Sequence, residues 1–179
     1  MNNLPNIDKI LFSEQDILQR VRELGKQISS EHQNVDILLI CILKGALVFT
    51  ADLMRCLELN ADLDFIQISS YGNKTESSGK INLVHDITTN IENKSIIIVD
   101  DIIDSGLTLS YVQDYLLSKK PSSIKTCVLL NKPARRAKYV NADYIGFDVP
   151  DNFVVGYGLD FKEQYRGLRY IAKLDANTN

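Results

Sequence analysis

Residues 96–109, IIIVDDIIDSGLTL, gather the side chains of this chain best suited to chemistry. An apolar, β-branched run leads into two adjacent acids, Asp100 and Asp101, then into Asp104, and then into Ser105-Gly106-Leu107-Thr108 at the start of a helical stretch. Backbone N–H groups from Ser105 to Thr108 at a helix N-terminus would form a cradle for a monophosphate, with Gly106 allowing close approach and two hydroxyls adding donors. The paired carboxylates would repel a second phosphate but suit a ribose diol or a hydrated cation. Asp104, one turn on, is placed to handle a proton. A plainer reading is that Asp104 and Ser105 cap the helix, as Asp and Ser often do, and that the acid pair is a solvated strand end. The combination of both features behind a buried strand weighs against it.

The surrounding elements must hold this segment rigid. Ile17, Val21, Leu24 and Ile28 recur on one helical face from Ser13 onward, and Ser13 with Asp16 makes a capping-box-like start. Residues 35–43, VDILLICIL, form a continuous apolar run that suits a parallel strand buried on both faces. A helix over 46–59 follows, then a strand over 62–71, a polar stretch over 72–80 read as a mobile loop, and a returning strand over 81–84. Residues 95–99 form another buried strand, 107–119 a helix, and 124–131 and 143–147 two more strands. Alternating β and α segments predict a parallel sheet covered on both sides, and such sheets bind ligands at the carboxyl ends of their strands.

Composition sets the outer limits. At roughly 150 residues per domain, 179 residues predict one domain with a core large enough to need no metal or disulfide staple. A formal net charge of −3 supplies no global field for nucleic acid or anionic membrane, so any phosphate must be held locally. Cys41, Cys56 and Cys127 show no paired spacing and read as buried free thiols in a reducing cytoplasm. No stretch approaches the ~18 apolar residues of a membrane span. His32 and His85 have no metal-ligand company, and Arg135 and Arg136 are expected on a solvated or subunit face.

The acid-acid-x-x-acid-Ser-Gly-x-Thr run after an Ile/Val strand resembles the 5-phosphoribosyl-1-diphosphate loop of the type I phosphoribosyltransferases. Nearly the full chain is similar to the hypoxanthine-guanine branch of that family. The resemblance implies an α/β fold over residues 1–179, with a central, mostly parallel sheet flanked by helices. It also implies a hood from the N- and C-terminal segments and a mobile lid over about 70–84. It assigns Asp104 and Tyr71 to catalysis. To the diphosphate sugar it assigns Lys44, Gly45, Ser70, Asp100, Asp101, Ser105, Gly106, Leu107, Thr108 and Arg166. Lys132 resembles the lysine that reads the purine 6-oxo group, Phe153 the aromatic that stacks on the base, and Val154 the residue that offers it backbone groups. Asp160, also in the base segment, resembles an acid linked to magnesium, as Asp100 and Asp101 are. Two departures stand out: Leu107 where some relatives carry lysine, and Arg169 where bacterial members commonly carry proline.

What the resemblance implies is displacement of pyrophosphate from a ribose anomeric carbon by N9 of hypoxanthine or guanine. Mg²⁺ would be the cofactor, and the enzyme a cytoplasmic homodimer or homotetramer with no nucleic-acid or membrane partner. A competing reading keeps the fold but makes the chain a regulator that binds RNA and senses phosphoribosyl diphosphate. The acidic balance and the intact Lys132 and Phe153 argue against it. A phospho-acceptor receiver domain fits less well, because its acids come from separate early strands whereas these share one loop.

Overall fold

The structure, a computed structural model, describes residues 7–70 and 81–175. Tyr71 and the expected lid over 72–80 lie outside the described residues, as does the side chain of Ser70. Three helices, α1 (Glu14–Glu31), α2 (Leu47–Cys56) and α3 (Leu107–Leu117), alternate with strands. Strands β2 (Ile37–Leu43), β3 (Ala61–Ser70), β4 (Ile81–His85), β5 (Ser95–Ile103), β6 (Ser123–Asn131) and β7 (Tyr144–Asp148) form one six-stranded sheet. Its order is β4-β3-β2-β5-β6-β7, parallel except for the edge strand β4.

The unbroken apolar runs of β2 and β5 are explained by their position. Successive side chains point to opposite faces, so Ile37, Leu39, Ile97 and Val99 pack under α1 and α2, while Leu38, Ile40, Ile96 and Ile98 pack under α3. Burying both faces leaves no place for alternating polar residues. The capping box at α1 forms as expected: Asp16 N donates to Ser13 Oγ at 3.2 Å and Ser13 N donates to Asp16 Oδ2 at 2.9 Å.

Several boundaries differ from the sequence reading. Helix α2 stops at Cys56 because Leu57 is extended; Leu57 still packs on the core, but from beyond the helix. Helix α3 stops before Lys120, whose φ of 57° precedes Pro121. Cys56 is only half-buried, unlike Cys41 and Cys127. A second sheet, which periodicity did not reveal, joins β1 (Ile7–Phe12) antiparallel to β9 (Ile171–Leu174), with β8 (Val154–Val155) on its far side. It unites the chain's two ends, where the resemblance places a hood. Arg169 anchors there too, reaching Glu14 of α1 at 3.1 Å.

The sheet's most consequential feature is a split. Pairing between β2 and β5 ends at Cys41 and Val99, yet β5 continues to pair with β6 through Ile103 and Asn131. Asp100 and Asp101 therefore lie inside a strand rather than beyond one, along the edge from which β2 has departed. The chain also changes direction here, since β2 leads through α2 to β3 on one side and β5 leads through α3 to β6 on the other. Such switch points open ligand crevices at the carboxyl ends of their strands.

Candidate active site

A cavity of about 420 Å³ fills this split, lined by Leu43, Gly45, Asp100, Asp101, Asp104 to Gly106, Thr108 and Asp160 among others. The loop after β2 crosses its mouth with a cis peptide between Leu43 and Lys44. Gly45 faces Asp101, and any Cβ at position 45 would collide with the Asp101 carboxylate. From the other side Gly158, at φ 102°, approaches so closely that a Cβ would strike the Gly45 carbonyl. The Gly45 backbone is thus sandwiched between the Asp101 carboxylate and Gly158.

The Asp104–Thr108 loop is braced from behind. Ser105 O accepts hydrogen bonds from Ala137 N and Lys138 N at 2.9 and 3.0 Å. Gly106, at φ 80°, is the N-cap of α3, and a side chain there would collide with the Lys138 carbonyl. Arg136, expected on a solvated face, instead sits half-buried under this loop, donating to Asn131 Oδ1 and to Val140 O. Its partners are the last residue of β6 and the loop that follows it, so a side chain spaced for solvent serves as a brace. Asp104 and Ser105 do not cap the helix in the ordinary sense. The cap is Gly106, no side-chain cap bond forms, and Leu107 N reaches Ser105 Oγ only at 3.4 Å. The open first turn of α3 is a ready anion site.

The electrostatics are unsettled in the direction a ligand would correct. Burial and the adjacent Asp101 charge push the Asp100 carboxyl well above the usual carboxylate range. Asp101 is also raised, by burial, although the backbone N–H of Ile102 donates to its Oδ1 at 3.0 Å. Asp104 Oδ1 is buried without a hydrogen-bond partner among the described residues. Beside the crevice, Glu163 gathers Lys44 at 3.2 Å and Arg166 at 3.3 Å, and Arg166 also pairs with Asp160 at 2.8 Å. Lys44 and then Arg166 hold the Glu163 carboxyl low. Arg166 Nη1 donates to Gly158 O at 2.8 Å, while its Nε is buried with no partner among the described residues. Arg166 lines neither this cavity nor the one beside it.

A second pocket of about 290 Å³ adjoins the first, lined by Lys132, Arg135, Phe153, Val154 and Leu159. Asp101, Ile102, Asp104 and Asp160 line both. Phe153 is 55% exposed, its ring set edge-on to Phe161 with centroids 5.5 Å apart. Val154 is held in the second sheet by β9. Lys132 N donates to Ile103 O at 3.0 Å, tying the lysine to the end of β5, and its side chain is only 6% exposed. Its ammonium stands 3.9 Å from Asp104 Oδ2 and 3.8 Å from Asp151 Oδ1. Arg135 is exposed, as expected, but also lines this pocket and pairs with Asp151 at 2.6 Å. Asp151 carried no sequence signal beyond its place two residues before Phe153.

Among the described residues no three metal-ligating side chains converge into a cage. No described helix is long and apolar enough to cross a membrane.

Comparison with known proteins accords with this geometry. Residues 9–162 match the phosphoribosyl transferase domain family. The chain is 48% identical over 169 residues to a hypoxanthine-guanine phosphoribosyltransferase of Bacillus subtilis, covering 94% of each chain. It is 48% identical over 161 residues to one of Aquifex aeolicus, covering 89% of this chain and 90% of that one. Among solved structures, a hypoxanthine phosphoribosyltransferase from Staphylococcus aureus superposes with a TM-score of 0.93 at 38% identity, covering 98% and 97% of the two chains. A hypoxanthine-guanine phosphoribosyltransferase from Bacillus anthracis gives 0.90 at 46% identity, covering 94% and 99%. With the family match over residues 9–162, near-full-length relatives at 48% identity and a shared sheet fold, this chain belongs to the phosphoribosyltransferase family, in its hypoxanthine-guanine branch.

Proposed function

We propose that this chain transfers the phosphoribosyl group of phosphoribosyl diphosphate to N9 of hypoxanthine or guanine, releasing pyrophosphate and the nucleoside monophosphate. The observation that carries this reading is the shared wall of the two cavities. Sugar phosphate in the crevice and purine in the Lys132–Phe153 pocket would meet beside Asp104. The first turn of α3 with Ser105 and Thr108 holds the 5-phosphate, and Lys44, Gly45 and Arg166 serve the diphosphate end.

Asp104 carries the proton chemistry. Its unpartnered Oδ1 is free to accept from purine N7 and to take or return that proton as charge moves across the ring. Lys132 satisfies a 6-oxo acceptor but faces the amino group of adenine donor to donor, and a buried hydrogen bond left unmade costs about 1–3 kcal/mol. Phe153 covers the base. Tyr71 and the 72–80 segment would exclude water from an electrophilic carbon that hydrolysis would otherwise consume.

The donor set fits Mg²⁺, which commonly binds through one or two carboxylates together with substrate phosphates rather than in an all-protein cage. Asp100, Asp101 and Asp160 would hold it, and a cation would relieve the burial and repulsion that raise the acid pair. When bound it would neutralise charge on the departing pyrophosphate. The second sheet acts as the hood, and the enzyme works as a cytoplasmic homodimer or homotetramer without a nucleic-acid partner. The test is purified protein with Mg²⁺ and phosphoribosyl diphosphate, offered hypoxanthine, guanine, xanthine and adenine separately, with nucleotides resolved by chromatography. Product from hypoxanthine and guanine with little from adenine is expected. No nucleotide from any base would overturn the reading.

A further inference from the structure

We infer that Asp151 is a positioning residue for purine recognition, a fixed counter-charge that keeps the Lys132 ammonium aimed into the base pocket, with Arg135 as its anchor. The inference rests on the reading of Lys132 as the purine reader. A lysine whose side chain is only 6% exposed needs compensating charge. The two carboxylates at 3.9 and 3.8 Å supply it, yet both stand beyond hydrogen-bond distance. Lys132 is thus flanked rather than captured, and its donors remain available to a ligand.

The two acids differ in what else they must do. Asp104 is committed to the purine N7 proton, so its charge is withdrawn from Lys132 when that proton arrives. Asp151 lines neither cavity. It is instead gripped at the same Oδ1 by Arg135 Nε at 2.6 Å. Arg135 ends the short 3₁₀ turn Pro133–Arg135 that begins directly after Lys132, so reader and anchor share one turn. Arg135 holds the Asp151 carboxylate back from full contact with Lys132, and Asp151 holds the lysine's charge when Asp104 is spent.

The experiment compares kcat, KM for hypoxanthine and KM for phosphoribosyl diphosphate in the wild type, Asp151→Asn, Asp151→Glu and Arg135→Gln, with adenine as competitor base. Asp151→Asn is expected to raise KM for hypoxanthine about tenfold, leave the sugar KM within twofold, and narrow the hypoxanthine-to-adenine ratio of kcat/KM. Asp151→Glu should recover most of that loss, and Arg135→Gln should shift the purine KM about threefold in the same direction. In a Lys132→Ala background, Asp151→Asn should add little. Equal losses for base and sugar, an unchanged purine KM, or full additivity with Lys132→Ala would each overturn the assignment. Arg135 also lines the base pocket, but its side chain is 58% exposed, so Arg135→Gln should fold; if Asp151→Asn folds poorly, Arg135→Gln carries the test through its lack of additivity with Lys132→Ala. An inactive wild type would instead indict the proposed reaction, and the same assay separates the two failures.

Discussion

The two ends of the central sheet are built from the same strands but treat polar groups in opposite ways. At the amino ends, Glu31 Oε2 accepts from Lys125 Nζ at 2.8 Å and from Tyr144 Oη at 2.7 Å, and Gln27 donates to Oε1. Lys125 is held above its ordinary range, and Glu31 is drawn down to about 2, chiefly by Lys125. A cavity of about 580 Å³ lies at the same end, with Lys94 and Asp62 3.7 Å apart and the Ser95 and Ser123 hydroxyls joined at 2.8 Å beside it. At the carboxyl ends the crevice is smaller, about 420 Å³, but Asp100 and Asp101 are pushed up and Asp104 Oδ1 is buried without a partner among the described residues. Size would choose the wrong end. Unmet electrostatic demand, which a ligand can satisfy, chooses the other.

The largest expected effect follows from removing the group that most embodies that demand. Asp104→Asn should cut kcat by about 10²–10⁴-fold, the usual contribution of a positioned acid or base. Phosphoribosyl diphosphate should still bind, as isothermal titration would report. Unchanged turnover would break the contrast between the two ends at its centre. Next in size is Gly45→Ala, whose methyl group must displace the Asp101 carboxylate from the crevice wall. Misplacing a site group by about 1 Å can cost ~100-fold, so kcat/KM for the sugar should fall by 10–100-fold on that scale. A variant as active as the wild type would mean that Asp101 has no fixed place in the site.

How far the sequence foresaw this depends on whether a residue's role was written locally. The strand-loop-helix segment over 96–109 was legible because strand, acids, glycine and helix occupy fourteen consecutive positions, and the structure keeps them together. Both helix-covered faces of the sheet were legible from unbroken apolar runs. The split between β2 and β5 was not, because where two strands part company depends on partners distant in sequence. The second sheet was hidden for a related reason: β8 is two residues long, and β1 alternates too weakly to carry a period. Arg135 and Arg136 looked like solvent-facing charge, and only the return of the chain past Val140 and Asp151 gives them partners. Lys132 and Phe153 were singled out by resemblance alone, as an isolated lysine or phenylalanine has no local signature of a binding role; the structure places both in one pocket.

The comparison also predicts opposite stability effects at the two ends. At the carboxyl end, the charge of Asp100 costs stability at neutral pH, because its carboxyl is raised in the folded state and burial disfavours the ionised form. Asp100→Asn should therefore raise the Tm of the ligand-free protein by about 3–6 °C, taking ~2–4 °C per kcal/mol at this chain length. The same variant should lose the Tm gain that the wild type shows with Mg²⁺ and phosphoribosyl diphosphate. A lowered Tm in the ligand-free state would show that the acid pair stabilises the fold instead of straining it.

At the amino end the sign reverses and the size shrinks. Glu31 is depressed in the folded state, so its contribution is fully present above the ordinary carboxylate pKa and is lost as pH falls toward about 2. More than a third of its side chain is exposed, and solvent screening limits such a pair to about 1 kcal/mol or less. Glu31→Gln should accordingly lower Tm by no more than about 2–4 °C at pH 7, with kcat unchanged. The gap should shrink to roughly half by pH 3, since most of the wild-type advantage lies between the two pKa values. A gap that holds constant from pH 7 to pH 3 would locate the stabilisation in side-chain packing rather than charge. The amino end would then differ from the carboxyl end in how tightly it is filled, and no longer in how completely its charges are met.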